Sequence, residues 1–327
     1  MKLSIIFLIQ SCNWEDEPIP TLPPDPGTGM WLVGSLNTGG DARYVKSGII
    51  NQTQYAFLAD GDKGFEIINI ADASSPVLTY NFNTGGFVRE VLIDTIDNNV
   101  YAFLSDKVKG LFILNISNPL NPIIDTNILY TSGVNSVELK DNCLLVALLS
   151  GSIKLLNVDN IQDSVYELNT YTPKNTVEHI EIAGNYAYFI ERVTGLEIVD
   201  ISNPFSPIFI TTFKSPGNCY DIKIADDIAY IAEGNPGVSV ISVANPSQPY
   251  FIRIVDLNTD VRALDYSPNF LFAAEYNDGV EVMNLFNPTE PESFAYFEPG
   301  GFCYSVDYFK AKVLVANGAR GLLILRY

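Results

Sequence analysis

The sequence predicts an all-β fold, a seven-bladed β-propeller built from four-stranded antiparallel blades. Three observations carry that reading. A glycine that opens an alternating apolar strand recurs along the chain, the recurrence has the period of a four-stranded blade, and the last unit is one strand short.

The glycines are Gly64, Gly110, Gly151, Gly195, Gly237, Gly279 and Gly321, spaced 46, 41, 44, 42, 42 and 42 residues apart. The unit around Gly195 shows the grammar of the rest. Residues 177–182 alternate as a strand, Gly184-Asn185 makes a turn, and 186–190 form a second strand. Gly195 opens a third strand running through 201. Ser202-Asn203-Pro204-Phe205-Ser206-Pro207 then interrupts the sheet, because proline has no N–H to give to a ladder, and 208–213 make a fourth strand. The proline pair recurs as Pro119/Pro122, Pro246/Pro249 and Pro288/Pro291, with Pro76 alone in the first unit. The unit around Gly151 has neither proline and is the most degenerate.

The final unit has strands at 303–309, 312–316 and 322–327 and lacks an outer one. Trp31-Leu32-Val33-Gly34-Ser35-Leu36 supplies it, so the N-terminal strand joins the last blade and no sheet edge is left open at the seam. Residues 30–327 therefore make one closed domain rather than two.

The run Gly195-Leu196-Glu197-Ile198-Val199-Asp200-Ile201-Ser202-Asn203-Pro204, preceded by Asn185-Tyr186-Ala187-Tyr188, resembles the LVIVD-repeat family of bacterial β-propellers. The resemblance extends over roughly residues 31–327. It implies a propeller with a surface or exported habit and brings no ligand with it.

Ahead of the domain, residues 1–11 read as a lipoprotein signal peptide. Lys2 is followed by an apolar stretch, and Ile9-Gln10-Ser11-Cys12 resembles a lipobox, in which the cysteine is lipidated and becomes the first residue. Residues 12–29 read as an acidic, proline-rich tether, with Glu15-Asp16-Glu17 ahead of Pro18, Pro20, Pro23, Pro24 and Pro26. The acidic cluster resembles the signal that exports some bacterial lipoproteins to the cell surface, and a proline-rich segment stays extended at about 3.1 Å per residue. The expected location is the bacterial cell envelope, lipid-anchored through Cys12 at the outer membrane and surface-exposed.

Composition narrows the function classes. Apolar residues make up 47% of the 327, yet charged residues or glycine break every run, so no stretch after residue 12 is long enough to span a membrane. The formal net charge of −19, from 38 acidic and 19 basic residues, repels a phosphate backbone and argues against nucleic acid as a partner. There is no Gly-x-Ser-x-Gly elbow, no P-loop, no dinucleotide fingerprint and no Cys-x-x-Cys, and a single histidine excludes a His-Glu-x-x-His zinc site. No cofactor and no metal are expected. Asp60-Gly61-Asp62 and Asn277-Asp278 lack the run of oxygen ligands that calcium needs. Beyond Cys12, the odd set Cys143, Cys219 and Cys303 sits in apolar strands and reads as small buried hydrophobes.

Propellers most often bind ligands where the innermost strands begin, around the central channel. Aligning those strands on Val45, Val91, Val137, Ile180, Ile222, Leu264 and Val306 sorts the preceding residues into rings. Three positions earlier lie Ala42, Val88, Val134, Val177, Cys219, Val261 and Cys303, a small apolar ring that suits packing. Two positions earlier lie Arg43, Arg89, Asn135, Glu178, Tyr220, Arg262 and Tyr304, which packing alone would not choose. Glu90, His179 and Asp221 follow one position later. Arginine offers a planar donor fork and tyrosine a stacking face, so this ring can hold a carboxylate, a sulfate or a sugar. The acidic and basic residues before each glycine, among them Asp60, Asp62, Lys63, Asp106, Lys107, Glu191, Arg192, Glu233, Glu275, Asp278 and Arg320, are expected on the same face as solvated turn residues.

The reading that follows is a monomeric, surface-anchored, non-catalytic binding or scaffolding propeller that engages a glycan, peptide or protein through its mouth. The candidate ligand residues are Arg43, Arg89, Glu178, His179, Tyr220, Arg262 and Tyr304, with no catalytic residue assigned. A glycan-active hydrolase or lyase with its site at the mouth is the alternative class, and a purely structural spacer is the third.

Overall fold

Short strands that alternate at period two, each joined to the next by a turn, find their nearest partner in sequence and pair consecutively. The computed structural model, which describes residues 29–128, 130 and 132–327, shows that outcome throughout. The described residues contain 28 strands and no helix, arranged as seven four-stranded antiparallel sheets. The expected signal peptide, Cys12 and nearly all of the expected tether lie outside the described residues.

The innermost strands of blades 1 to 7 are Tyr44–Ile50, Val88–Ile96, Val134–Lys140, Val177–Ala183, Asp221–Ala225, Ala263–Ser267 and Ser305–Phe309. Each packs against the innermost strand of the blade on either side, and the first contacts the last, so the seven close a ring. Blade 7 is completed as the sequence predicts. Trp31–Leu36 pairs antiparallel with Leu322–Arg326, from Trp31 opposite Arg326 to Leu36 opposite Leu322.

Two-sided burial gives the blades their core. The second and third strands of a blade are buried on both faces: Phe57 packs toward blade 2, while Ala56 and Leu58 pack toward blade 7. Seven apolar clusters result, one at each interface between neighbouring blades. A single blade owns no core. Cys219 and Cys303 are fully buried in this packing, as expected, and burial pushes both thiols up to about 12. Cys143, at the start of a strand, is only partly buried.

The turn glycines are required by backbone geometry. All seven have positive φ, from 78° at Gly321 to 126° at Gly237. In most blades there is a second reason, because the outermost strand passes directly over the turn. A Cβ on Gly279 would strike the Phe297 carbonyl oxygen, and one on Gly321 would strike that of Leu36. In the degenerate blade 3 this approach is absent, and a Cβ on Gly151 would meet nothing nearer than Thr176 Oγ1 at 3.6 Å. The proline-containing breaks are held by asparagine. Asn203 Oδ1 accepts the N–H of Phe205 at 3.1 Å, and the Asn203 carbonyl accepts that of Ser206 at 2.9 Å. The same pattern recurs at Asn118, Asn245 and Asn287.

This difference between blades is testable. Gly151→Ala carries only the left-handed backbone penalty, about 1–2 kcal/mol. Gly279→Ala adds a backbone clash, so its denaturant midpoint should fall distinctly further, and equal losses would mean that the outermost strand does not seat on the turn. Deleting residues 1–36 should bare the Leu322–Arg326 edge and convert the protein to self-associating species on sedimentation.

Candidate functional site

The mouth is built where each innermost strand begins. The apolar ring of Ala42, Val88, Val134, Val177, Cys219, Val261 and Cys303 is buried, and the backbone explains why. At this level the chain bonds to the glycine turn of the preceding blade, as in Ala42 N–H to Gly318 C=O at 3.0 Å and Val88 N–H to Gly61 C=O at 2.9 Å. Little room remains for a side chain there, and the next residue along is presented at the lip.

All seven residues of that next ring, Arg43, Arg89, Asn135, Glu178, Tyr220, Arg262 and Tyr304, line one cavity of about 310 Å³. Glu90, His179 and Asp221 line it more deeply. The strand register read from the sequence therefore placed the ring correctly. Phe87, Lys107, Leu149 and Arg192 also line the cavity and were not in that ring. They come from connecting loops, whose reach depends on how the blades twist rather than on any alternation. Among the turn residues, Lys107 and Arg192 do share the face and enter the site, whereas Arg320 donates to the Pro299 carbonyl at 2.6 Å on the outer rim.

Blades 2 to 4 carry a hydrogen-bonded half. Arg89 donates from Nη1 to Asn135 Oδ1 at 2.6 Å and from Nη2 to Glu178 Oε2 at 2.9 Å. Arg192 approaches the other oxygen of Glu178 at 3.9 Å and donates to the Tyr220 hydroxyl at 3.0 Å. Blades 5, 6, 7 and 1 carry an aromatic half. The Arg262 guanidinium lies 4.1 Å from the Tyr220 ring centre and 4.8 Å from that of Tyr276. The Arg43 guanidinium lies 4.0 Å from Tyr304 and 5.4 Å from Phe87. Each of these two arginines is also paired with the aspartate two residues before it, Asp260 and Asp41. Such stacking fixes guanidinium planes and leaves their edges for polar groups.

Below the lip, His179 is 5% exposed and stands between two carboxylates, with Nε2 3.2 Å from Asp221 and Nδ1 3.8 Å from Glu90. Burial opposes charge on the imidazole, but Asp221 and Glu90 outweigh it and raise its pKa. Asp221 also accepts the backbone N–H of Leu264 at 2.7 Å, and Glu90 accepts from the Ser136 hydroxyl at 3.2 Å, so both carboxylates tie neighbouring blades together. Farther in, Lys223 pairs with Glu181 at 2.8 Å and Lys46 with Asp307 at 3.5 Å. Burial opposes charge on both lysines, but Tyr44 and Asp307 beside Lys46, and Glu181 and Asp221 beside Lys223, outweigh it and raise their pKa values. The cavity is a cup with an ionic floor.

The turn acids correct the sequence reading. Asp60, Asp106, Glu191, Glu233 and Glu275 are buried, not solvated. Asp106, Glu191 and Glu233 fasten the loop that leads into their own blade: Asp106 accepts the N–H groups of Phe87, Val108 and Lys109 at 3.1, 2.7 and 2.8 Å, Glu191 accepts that of Asn175 at 3.0 Å, and Glu233 accepts that of Gly217 at 2.9 Å. Asp62, Lys63 and Asp278 are exposed, as expected. Among the described residues, no group of three or more His, Cys, Asp or Glu side chains is arranged to hold a metal ion.

Comparison with known proteins agrees with this architecture. The LVIVD repeat family model matches residues 40–84, 98–129, 176–215 and 216–257, so the chain carries LVIVD repeats. The matches fall on blades 1, 2, 4 and 5 and skip blade 3, the unit that lacks both prolines. Among solved structures, U3-55K is similar over 93% of this chain and 100% of its own, with 10% identity and a TM-score of 0.71. The computationally designed Ika8 protein is similar over 90% of this chain and 99% of its own, with 10% identity and a TM-score of 0.65. At such identity the likeness is one of fold. No curated protein matches the chain.

The buried acids set the pH dependence of stability. Burial, then a neighbouring carboxylate, pushes Glu66 up to about 7 and Glu275 up to about 8, and burial pushes Asp265 up to about 6. A carboxyl raised on folding binds more protons in the native state, so stability falls as pH rises from its unfolded value through its folded one. His179, also raised, acts in the same direction. The thermal midpoint should be highest near about pH 5 and decline toward about pH 8, from the reference carboxylate values. Glu66→Gln should flatten that decline, and a midpoint that climbs over the same range would contradict the burial of these groups.

Proposed function

We propose that this LVIVD-repeat propeller is a non-catalytic binding module for an acidic ligand, a carboxylated or sulfated glycan or an acidic peptide, taken up in the cup. The observation that carries the reading is charge. In a chain of net charge −19 with only 19 basic residues, five of those residues, Arg43, Arg89, Lys107, Arg192 and Arg262, line one cavity. Lys107 registers the local potential: burial at the lip and the guanidinium groups of Arg89, Arg43 and Arg192 hold its pKa below the usual lysine value, against the pull of Glu178. A bound anion relieves that repulsion. Bidentate geometry favours carboxylate and sulfate over a neutral hydroxyl.

The proposal extends to location. Lipidation at Cys12 anchors the chain to the outer membrane with the propeller at the cell surface, and the tether spans roughly 50 Å when extended at about 3.1 Å per residue. Trp31 lies opposite Arg326, at the end of blade 7 away from the glycine turn, so a tether arriving there leaves the mouth free of the anchoring surface.

Thermal unfolding of the full chain at low ionic strength tests the binding reading, with galacturonate, a sulfated disaccharide and an acidic peptide against their neutral counterparts. An acidic probe at about a hundred times its Kd should add ~2.7 kcal/mol of stability. Arg89→Ala and Lys107→Ala should each weaken it, and added salt should too. Stabilisation by neutral or cationic probes alone would overturn the reading. In cells, Cys12→Ala should move the protein from the membrane fraction to the soluble one, and an unchanged distribution would remove the lipid anchor.

A further inference from the structure

The aromatic half of the cup contains the same device twice. Blades 5 and 7 present a Cys-Tyr pair, Cys219-Tyr220 and Cys303-Tyr304, and the blade after each presents Asp-x-Arg, as Asp260-Val261-Arg262 and Asp41-Ala42-Arg43. No other blade carries either pattern at these positions, where the sequences are Phe87-Val88-Arg89, Gly133-Val134-Asn135 and Thr176-Val177-Glu178.

The two copies agree in geometry. The guanidinium-to-tyrosine distances are 4.0 Å at Arg43 and Tyr304 and 4.1 Å at Arg262 and Tyr220. A second aromatic ring stands by each arginine, Phe87 at 5.4 Å and Tyr276 at 4.8 Å. In each copy the aspartate takes one terminal nitrogen, Nη2. The Nε of each arginine is buried and has no hydrogen-bond partner in the protein. With Nε closed off from solvent and Nη2 given to the aspartate, the terminal edge of each guanidinium is the part that an acid arriving from outside can reach.

The other half of the cup shows what the site accepts. There, Arg89 and Arg192 already share a carboxylate, that of Glu178, one oxygen near each guanidinium. At Arg43 and Arg262 the protein supplies no such bridging group.

We infer that the cup takes a ligand bearing two separate acidic groups, carboxylates or sulfates, with one group on the Arg43–Tyr304 clamp and the other on the Arg262–Tyr220 clamp. This rests on the reading of the cup as an acid-binding site and specifies its ligand class. A single acid satisfies one clamp. A diacid of the right length satisfies both, and its second contact forms within an already bound complex, at the effective concentration set by its linker.

Calorimetric titration of the full chain with linear α,ω-dicarboxylates of increasing length, against monocarboxylates of matched length, separates the possibilities. At one length the diacid should bind about a hundredfold tighter than its monoacid, within the range of linked contacts. Arg43→Gln and Arg262→Gln should each lower diacid affinity to that of the monoacid, and a diacid advantage that survives either substitution would overturn the inference. If diacids of every length bind no tighter than monoacids, the two-clamp inference fails and the acid-binding reading stands. Binding of neither probe fails the acid-binding reading itself. The wild-type comparison decides the matter even if a variant misfolds.

Discussion

Everything in this molecule depends on hydrogen bonding between its first described strand, Trp31–Leu36, and its last, Leu322–Arg326. Each apolar cluster lies between two blades, so no blade is stable by its own packing, and an open array would leave two unsatisfied faces and an unpaired edge. Joining the two ends of the chain within blade 7 removes both liabilities in one step. It also fixes the ring at seven and thereby brings the seven innermost strands, which are far apart in sequence, to a common centre.

Closure creates the cup, but a second layer of bonding frees its lining. At the mouth, neighbouring blades are joined through backbone, as between Gly61 and Val88 or Gly318 and Ala42, and each entering loop is fastened to its own blade by buried turn acids such as Asp106, Glu191 and Glu233. Among the lip residues, Asn135 donates to the Val177 carbonyl of the next blade at 3.0 Å, whereas the arginines and tyrosines of the ring join no neighbouring backbone through their side chains. The lip side chains differ from blade to blade on one scaffold: arginine, asparagine, glutamate and tyrosine occupy equivalent positions of one ring. Blade 3 shows the converse. It has neither the proline pair nor a turn acid, and Leu149 of its turn stands in the cup instead.

How much of this was legible in the sequence follows from the same division. Strand alternation, the glycine period and the missing outer strand are local patterns, and they carried the blade count, the closure and the membership of the lip ring. The turn acids were misread as solvated because a carboxylate beside glycine has the same signature on a surface as in a buried loop. What distinguishes Asp106 is the N–H of Phe87, which the loop entering its blade brings to it from 19 residues away, and that is a tertiary fact. Lys107 and Arg192 are expected on this face only as solvated turn residues, and Phe87 is not expected in the site at all, since loops extend over the mouth by an amount that no periodicity encodes. Cys143 was read as buried from its apolar neighbours, but it stands at a strand end, where the sheet protects one side only.

The asymmetry of the cup then becomes an argument about selection rather than architecture. Seven-fold repetition by itself would deliver seven alike lip residues, and packing asks only for a small apolar residue one position earlier. Tyrosine preceding an Asp-x-Arg blade, twice, satisfies neither demand. Nor does an ion pair need it, because Asp41 and Asp260 engage Nη2 of these arginines from two residues away without help from a ring. Stacked rings that hold a guanidinium in place contribute instead to preorganisation, which lowers the entropic cost of ordering a charged side chain when a ligand is bound. The His179 layer beneath serves the scaffold: Asp221 and Glu90 each hold a neighbouring blade, so the floor of the cup is rigid for structural reasons. The ring that varies most from blade to blade is thus also the one that carries guanidinium edges held by aromatic planes, and the proposed binding of acids rests on that chemistry.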